Sequence, residues 1–538
     1  MCIRDSYDRN LYLDTSKPVV AYEEFFNNEM IHFSIYSCER ALPNVVDGLK
    51  SSQRKILYCA FKRNLVGELK VAQFAGYVSE HACYHHGETS LGGTIIGMAQ
   101  TFVGSNNINL LMPCGQFGTR NLGGNEAASV RYIFTRLNPI TRYLFPKEDD
   151  DVLNYLDDDG TKIEPDYYVP IIPMVLVNGC EGIGTGYSCS IPAFNPAQII
   201  AALREKILAC GGGVSEREWL PYYEGFTGRI DAIGKGKYLT RGIYRRVEDD
   251  TVFISELPVG TWTGYLYYKK FLEELVLGKF DDKGKQTSAP VIKEYQMTES
   301  EVKIMITVRF LSSEQLDDLE RTTFANGVNG VEKLLALTTT YGTQNMMLFD
   351  TECKLKNYET VEVILGEFYE KRYETYRKRK THLIRVMQGE LKKMANKARF
   401  IQEIIAGKID LRKSQNDGEV DGVLEKLGFD RISEDSGAEG VGKVGTYKYL
   451  TEMRLNTLTK ERAAKLIQER DESAAKLQEL EATTLETMWL RELEALEGRY
   501  AEDRQWRIQL QNPEGGAVAS GNGGIANKKP KSRGGSGK

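Results

Sequence analysis

The sequence predicts a multidomain α+β protein, and three features lead to that prediction. The chain has 538 residues, a length typical of about three or four domains. Helical and strand-like patterns mix through the first two thirds, with no repeat of 20–50 residues. A long helical pattern with regularly spaced apolar residues then covers 358–405, which is typical of a coiled-coil arm.

Composition excludes several classes of protein. Hydrophobic residues make up 41% and charged residues 27% of the chain, as in globular domains. No apolar run approaches the roughly 20 residues that cross a bilayer, and the first residues lack the apolar core of a signal peptide. The nine cysteines form no Cys-x-x-Cys pair. They are expected to be reduced thiols in a cytosolic or nuclear protein.

The net charge of −5 argues weakly against a nucleic-acid binder, but the distribution of charge matters more than its sum. Acidic residues gather at 148–151 and 157–159, where we expect solvated loops. Basic residues are frequent in the first 145 positions. They include Lys50, Arg54, Lys55, Lys62, Arg63, Lys70, Arg120, Arg131, Arg136 and Arg142. A basic working face on an acidic molecule is therefore compatible with the sequence.

The segment 29–150 is predicted to be mainly helical. One helix-like stretch covers 49–65 and a second covers 71–102. Two such helices with a short joint favour a helix-turn-helix or winged-helix unit. The Gly- and Asn-rich stretch 104–126 is predicted to form loops.

The segment 151–350 is predicted to be a second, mixed α/β domain. Strand-like runs at 251–257 and 302–310 alternate with helices such as 197–209.

The segment 351–505 is predicted to form two long helices with a small cap near 421–429. Such an order indicates an antiparallel arm with a knob at its tip, and an ordinary helical bundle is the alternative. The tail 506–538 is mostly Gly, Asn, Ser and Lys beyond residue 511, and is predicted to be disordered.

The pair Arg131-Tyr132 carries the most specific candidate chemistry. A phenol with a pKa near 10 is a weak nucleophile and needs activation. A neighbouring guanidinium can bind a phosphate and stabilise the negative charge that develops on it. The pair alone does not distinguish this role from an ordinary surface position.

Three of the five histidines, His81, His85 and His86, fall within six residues. They could form a metal site, although no Cys or carboxylate partners stand at ligand spacing. They could equally have no special role, or donate hydrogen bonds to phosphate beside a basic helix.

Residues 40–190 resemble eukaryotic type IIA DNA topoisomerases, which are homologous to the bacterial gyrase A protein. The matching runs occur in the family's order and spacing. They are LPNVVDGLK (42–50), QRK (53–55), KVAQ (70–73), YHHGE (84–88), GSNNI (104–108), GQFGTR (115–120) and EGIGTG (181–186). A weaker resemblance continues through ELP (256–258) and TWT (261–263) to about residue 505. It implies a winged-helix cleavage domain, a tower domain, and coiled-coil arms ending in a dimerising C-gate.

The resemblance implies catalytic roles for three residues. Tyr132 matches the tyrosine that forms a 5′-phosphotyrosyl bond with DNA. Arg131 matches its neighbour that stabilises the transition state. His86 matches a histidine that contacts the scissile region.

A second set of residues is predicted to contact DNA. The set consists of Lys50, Arg54, His85, Ser90, Arg120, Ile183 and Trp262. Ser90 matches a position linked to cleavage-poison sensitivity, and Trp262 resembles a DNA-proximal tryptophan of the tower domain. Ile183 matches an isoleucine that wedges between base pairs, because an inserted apolar side chain unstacks and bends a duplex. The alternatives for this glycine-rich stretch are a core aliphatic position and a nucleotide loop, although the latter would lack a Walker lysine.

The resemblance also implies cofactors and partners. Mg²⁺ and ATP would bind to TOPRIM and ATPase domains absent from this sequence. Residues 1–28 would then be the linker after TOPRIM, and 1–6 are interpreted as artefactual. The fragment alone is therefore predicted to be inactive.

The expected partners are double-stranded DNA, a second copy in a two-fold dimer, and the missing half in the same native chain or in trans. No membrane association is expected. The expected location is the nucleus, supported by the basic run at 528–531, with a mitochondrial isoform as the alternative.

Two other functions compete with strand breakage. A non-catalytic, architectural DNA-binding homologue would have no need to keep Arg131-Tyr132. A dimerising coiled-coil scaffold would explain 358–505 but would leave 40–190 without a purpose.

Overall fold

The computed structural model describes residue 8 and eight longer stretches of the chain. These stretches are 10–209, 211–212, 217–280, 286–298, 300–409, 417–432, 445–453 and 459–511. The predictions for residues 1–6, for most of the tail, and for the basic run at 528–531 lie outside the described residues.

The first unit begins with a continuous helix. It consists of α1 (Tyr22–Phe25), a π-helical turn (Phe26–Met30) and α2 (Ile31–Ala41). Three further helices follow, α3 (Ser51–Lys62), α4 (Val71–His81) and α5 (Glu88–Ala99).

The single helical stretch predicted for 71–102 is wrong, because the chain turns at 82–87. Cys83 there has a φ of +48°, a left-handed conformation that a continuing helix cannot contain. Gly87, in an extended conformation, then precedes the first residue of α5.

A small antiparallel sheet stands beside these helices. Its strands are β1 (Leu69–Lys70), β2 (Leu111–Cys114) and β3 (Phe134–Leu137), in the order β1-β3-β2. Lys70 pairs with Phe134, and Leu111 pairs with Leu137. The central strand thus begins two residues after Tyr132.

The main hydrophobic core continues past residue 150. It includes residues from Cys38 to Ile207, then from Met346 to Tyr376, and finally from Trp489 to Tyr500. The segment 151–207 therefore shares one core with the first unit. Its elements, with those just before it, are α6 (Thr141–Leu144), a 3₁₀ helix (Lys147–Val152), β4 (Tyr155–Asp158), β5 (Thr161–Pro165), α7 (Met174–Asn178), β6 (Cys180–Gly184), β7 (Tyr187–Ile191) and α8 (Pro196–Leu208).

A second core forms around a four-stranded antiparallel sheet. The strand order is β10 (Ile243–Glu248), β11 (Thr251–Glu256), β15 (Ile306–Phe310) and β14 (Ile292–Met297). The strands predicted at 251–257 and 302–310 are confirmed as the neighbours β11 and β15. Val252 pairs with Val308 and Ile254 with Ile306, and all four side chains are buried.

Smaller elements complete the second core region. A three-stranded sheet has the order β16 (Thr338–Gly342), β9 (Lys237–Arg241), β8 (Arg229–Gly234). The remaining elements are a π-helical segment (Thr263–Leu272), α9 (Glu273–Leu277), the pair β12 (Lys279–Phe280) and β13 (Gln286–Ser288), α10 (Ser313–Arg321), a 3₁₀ turn (Ala325–Gly327) and α11 (Gly330–Leu334). The hairpin of β17 (Met347–Phe349) and β18 (Leu355–Asn357) leads back to the main core.

Two long helices form an antiparallel arm. They are α12 (Val361–Ile405) and α15 (Lys460–Ala482). Near one end, Lys380 Nζ donates hydrogen bonds to the carbonyl oxygens of Glu481 and Thr483 at 2.9 and 2.7 Å. Near the other end, Ala398 and Ile401 of α12 pack with Ala463 and Leu466 of α15.

The tip of the arm carries its own small core. This cluster contains Phe400, Ile409, Leu424, Phe429, Tyr447 and Leu450. It gathers α13 (Asp417–Lys426) and α14 (Lys448–Thr451) at the end of α12. The predicted cap near 421–429 therefore lies where the sequence order placed it.

The last helix, α16 (Leu485–Gln511), leaves the arm and returns to the main body. Trp489 is buried in the main core, and its indole Nε1 donates a hydrogen bond to Ile171 O at 3.0 Å. Tyr500 Oη donates to Glu224 at 2.9 Å. The segment 485–505, predicted to belong to the arm, thus packs against the body.

The prediction of a solvated loop at 148–151 is wrong for Asp149, which is 3% exposed. Its carboxylate contacts Arg372 Nη1 at 2.6 Å and Arg379 Nη1 at 3.5 Å. Both arginines also contact Glu492 of α16. We call these four residues the arm-root cluster. It joins the body, α12 and α16 through charges that compensate one another's desolvation.

Candidate active site

Tyr132 projects from a turn directly before the central strand β3. Its side chain is 67% exposed, whereas the next residue, Ile133, is buried. Its backbone N–H donates a hydrogen bond to Ser129 O at 2.9 Å. The guanidinium carbon of Arg131 lies 4.9 Å from the centre of the Tyr132 ring. The predicted nucleophile and its cationic neighbour are therefore adjacent and accessible to a large substrate.

The loop that carries Tyr132 is held on two helices. The N–H groups of Val71 and Ala72, the first residues of α4, donate to Ile133 O and Val130 O at 3.0 and 3.1 Å. Amides in the first turn of a helix have no partner within the helix, so the loop carbonyls satisfy them. Val130 also approaches α5 so closely that a Cβ on Gly92 would lie 2.7 Å from its Cγ1. An exposed side chain is thus presented from a fixed backbone.

His86 lies just before α5 and contacts α2. Its Nε2 forms a hydrogen bond with the hydroxyl of Tyr36, and its ring stands edge-on to Tyr84 with centroids 5.3 Å apart. Burial, and then the positive charges of Arg40 and His85, lower the pKa of His86. We therefore expect a neutral imidazole at neutral pH.

The three neighbouring histidines point to different partners. His81 packs edge-on against Tyr77, with ring centroids 4.1 Å apart. His85 is exposed, with Nε2 3.8 Å from a carboxylate oxygen of Asp158. Across the stretches that the structure describes, no group of three or more His, Cys, Asp or Glu side chains could hold a metal ion.

Ile183 is 87% exposed on the hairpin formed by β6 and β7. Alternate residues of a strand point to opposite faces. On the opposite face of β6, a Cβ on Gly182 would overlap Ala41 O, and one on Gly184 would lie 3.0 Å from Cys38 Sγ. The glycines therefore let β6 lie directly on α2 and turn Ile183 outward. The alternative of a core aliphatic position is wrong.

Two of the predicted DNA contacts lie near these groups. Lys50 Nζ donates a hydrogen bond to Glu181 O at 2.6 Å, two residues from Ile183. Ser90 is exposed in the first turn of α5, and its hydroxyl lies 3.5 Å from Tyr84 Oη. Lys50 is thus placed beside the isoleucine hairpin and Ser90 beside His86.

Three other predicted DNA contacts are engaged inside the protein. Arg54 forms a two-pronged ion pair with Asp47, at 2.7 and 3.1 Å. Arg120 is buried and pairs with Glu256 at 2.7 Å. The ring of Trp262 packs edge-on against Phe102, with centroids 5.8 Å apart. These side chains hold elements of the fold together, so the structure gives no support to direct DNA contact by them.

Sequence reasoning missed Tyr36. Its position four residues before Arg40 puts both on one face of α2, a pattern visible in the sequence. The contact with His86 joins residues 50 positions apart, and no local pattern indicates that pairing.

No helix in the described part of the chain has the length and apolar character needed to span a bilayer.

Comparisons with known proteins agree on one family. The family model that describes the A chain type of DNA gyrase/topoisomerase IV matches residues 40–494. DNA topoisomerase 2 of Arabidopsis thaliana is 41% identical over 91% of this chain and 34% of its own length. DNA topoisomerase 2 of Plasmodium falciparum is 40% identical over 94% of this chain and 36% of its own length. This chain thus spans about a third of these relatives.

A solved structure agrees with this match. The DNA-binding, cleavage and re-ligation domain of Plasmodium falciparum topoisomerase II has a TM-score of 0.82 and 39% identity. The match covers 95% of this chain and 68% of that one. The mixed α+β architecture is therefore that of the solved domain. Because the family model covers most of the chain and the solved fold agrees with it, this chain belongs to the DNA gyrase/topoisomerase IV family of DNA-cleaving proteins.

Proposed function

We propose that this chain breaks and rejoins double-stranded DNA through a transient bond between Tyr132 and a 5′ phosphate. The observation that carries the proposal is the exposed Tyr132 beside Arg131, on a loop fixed by α4 and α5. The relatives named DNA topoisomerase 2, and the solved domain described as binding, cleaving and re-ligating DNA, support it.

The proposed step is a transesterification. The Tyr132 oxygen attacks the phosphorus and loses its proton, while the bond from phosphorus to the 3′ oxygen breaks and that oxygen leaves as a hydroxyl. Arg131 stabilises the negative charge on the phosphoryl oxygens during the exchange. The number of phosphate ester bonds is unchanged, so the freed 3′ hydroxyl can reverse the reaction and reseal the strand.

We further propose that α3–α5 with the β1-β3-β2 sheet act as a winged-helix unit on DNA. Lys50, His85 and Ser90 would contact the duplex near the cleavage point. Ile183 would insert at a base step and bend the duplex, because an exposed aliphatic side chain on a fixed hairpin suits that role. The second core would serve as the tower domain.

The arm of α12 and α15 would close a C-gate between two copies. A two-fold homodimer supplies two tyrosines, one for each strand of the duplex.

The family's cofactors fall outside these residues. The described residues form no cluster that fits a metal ion, so no step is derived through Mg²⁺. We propose that Mg²⁺ and ATP act through TOPRIM and ATPase domains, in the same native chain or in trans. The whole enzyme would then pass one duplex through another in an ATP-dependent cycle, in the nucleus or as a mitochondrial isoform. This chain alone would be inactive.

A cleavage-trapping experiment tests the proposal. The chain is mixed with supercoiled plasmid, Mg²⁺ and a separately expressed TOPRIM-containing fragment, and is then denatured with detergent. We expect linear DNA covalently attached to this chain, and none with Tyr132→Phe. DNA binding should be nearly unchanged in that variant, because it lacks only a hydroxyl.

A negative result would have two explanations that a further protein separates. Binding and dimerisation without any covalent product would favour an architectural DNA-binding homologue, or halves that act only when fused. A fusion of the TOPRIM-containing fragment to this chain distinguishes them. If the fusion also forms no covalent product, the breakage function is contradicted.

A further inference from the structure

Helix α2 presents two side chains toward His86. Tyr36 and Arg40 stand one helical turn apart and therefore share a face of the helix. The Tyr36 hydroxyl forms a hydrogen bond with Nε2 of His86, and the two ring centroids lie 5.7 Å apart. Arg40 places a positive charge near the same imidazole.

The surroundings of His86 favour its neutral form. Tyr84 packs against the ring, and the neighbouring charged or titratable groups are Arg40 and His85. Burial and these two groups lower the pKa of His86. A neutral imidazole carries one N–H and one lone pair, and the partner of one nitrogen decides where the proton resides.

We propose that the Tyr36 hydroxyl donates its hydrogen bond to Nε2 of His86 and thereby keeps the imidazole proton on Nδ1. Tyr36 is then a positioning residue that acts through His86. The Nδ1–H group becomes the donor available to a phosphate oxygen of DNA. This last step rests on the proposed function, whereas the tautomer assignment does not.

The same helix also fixes the isoleucine hairpin. Ser37 Oγ accepts a hydrogen bond from the N–H of Thr185 at 3.2 Å. Gly182 packs directly on Ala41. Helix α2 therefore holds His86 through Tyr36 and Ile183 through the hairpin, so the two groups keep a constant relative position when DNA arrives.

Nitrogen NMR of histidine tests the assignment directly. The chain has five histidines, so ¹⁵N labelling of histidine alone gives few signals, and His86→Asn identifies the signal of interest. We expect the Nδ1–H tautomer in the unaltered chain and a shift toward the Nε2–H tautomer in Tyr36→Phe. The pKa of His86 should also rise in Tyr36→Phe, because the lone pair at Nε2 loses its donor.

Tyr22→Phe is the matched control. Tyr22 precedes α2 on the same continuous helix and is exposed, so loss of its hydroxyl should leave the His86 signals unchanged. An Nε2–H tautomer in the unaltered chain would overturn the proposal. So would a tautomer that is the same in the unaltered chain and in Tyr36→Phe.

Two DNA measurements separate this inference from the proposed function. Addition of a short duplex should shift the Nδ1–H signal of His86, and an unmoved signal on bound DNA would overturn the phosphate contact. In the trapping experiment, Tyr36→Phe should lower the yield of covalent product about two- to tenfold, the effect of one lost hydrogen bond. An unchanged yield would contradict a positioning role. Absence of covalent product from the unaltered chain would contradict the proposed function and leave the tautomer result standing.

Discussion

The face that carries Tyr132 and the arm-root cluster use similar residue types in opposite ways. At the arm root, Asp149 and Arg372 are buried, and Arg372 is 0% exposed. Charges in the interior must be paired, because desolvation of an isolated charge is costly. On the other face, Tyr132 and Ile183 are large side chains that remain mostly exposed. Their positions are fixed by the backbone beneath them and not by burial of the side chain.

This difference separates stability from function. A buried ion pair that joins three elements contributes to the fold, and its loss leaves an uncompensated charge. An exposed tyrosine or isoleucine adds little to folding. Its effect must be sought in what it contacts outside the chain. Variants in the two regions should therefore differ in which measurement they change.

The largest expected loss of stability is at the arm root. Arg372→Met leaves Asp149 buried without its closest partner, so we expect the free energy of unfolding to fall by about 3–5 kcal/mol. Urea denaturation monitored by circular dichroism measures it. Arg377→Met is the matched control, because Arg377 is exposed on the same helix and should change stability by at most about 0.5 kcal/mol. Equal losses in the two variants would remove the contrast between the regions.

A smaller loss is expected under the isoleucine hairpin. A Cβ at residue 182 would overlap Ala41 O, so Gly182→Ala must push β6 away from α2. We expect a cost of about 1–3 kcal/mol, as in other overpacked sites. The hairpin should also become more sensitive to protease.

The matched control is Gly93→Ala in α5, where a Cβ would meet nothing within 4 Å. That change should stabilise the helix by about 0.5–1 kcal/mol. A stability for Gly182→Ala equal to that of the unaltered chain would show that β6 does not depend on close contact with α2.

The smallest change in stability is expected at Ile183 itself. Ile183→Ala removes an exposed side chain, so the free energy of unfolding should change by no more than about 0.5 kcal/mol. Bending of a duplex labelled at both ends, measured by fluorescence energy transfer, should decrease. Leu208→Ala, at an exposed position of α8, should leave bending unchanged. A bend that survives Ile183→Ala would contradict the proposed insertion.

Local patterns predicted much of the secondary structure. The apolar spacing of 358–405 indicated α12, and the alternation near 251–257 and 302–310 indicated β11 and β15, because both signals lie within one element. The break at Cys83 was missed, since its left-handed backbone follows from no periodicity. Family motifs indicated Tyr132 and Ile183, and the glycines beside Ile183 already pointed to close backbone contact.

Contacts between distant segments could not be predicted in this way. Asp149 looked like part of a solvated acidic run, and its partner Arg372 lies 223 positions away. Arg54 and Arg120 looked like DNA contacts because basic residues there suit phosphate. Their acidic partners, Asp47 and Glu256, become visible only in the folded chain.

The most direct test of the central claim is to find the amino acid that becomes attached to DNA. The trapped complex is digested with nuclease and protease, and the peptide that retains a nucleotide is identified by mass spectrometry. We predict a phosphodiester on the hydroxyl of Tyr132 through the 5′ phosphate of the nucleotide. Attachment to any other residue, or through a 3′ phosphate, would contradict the role assigned to Tyr132.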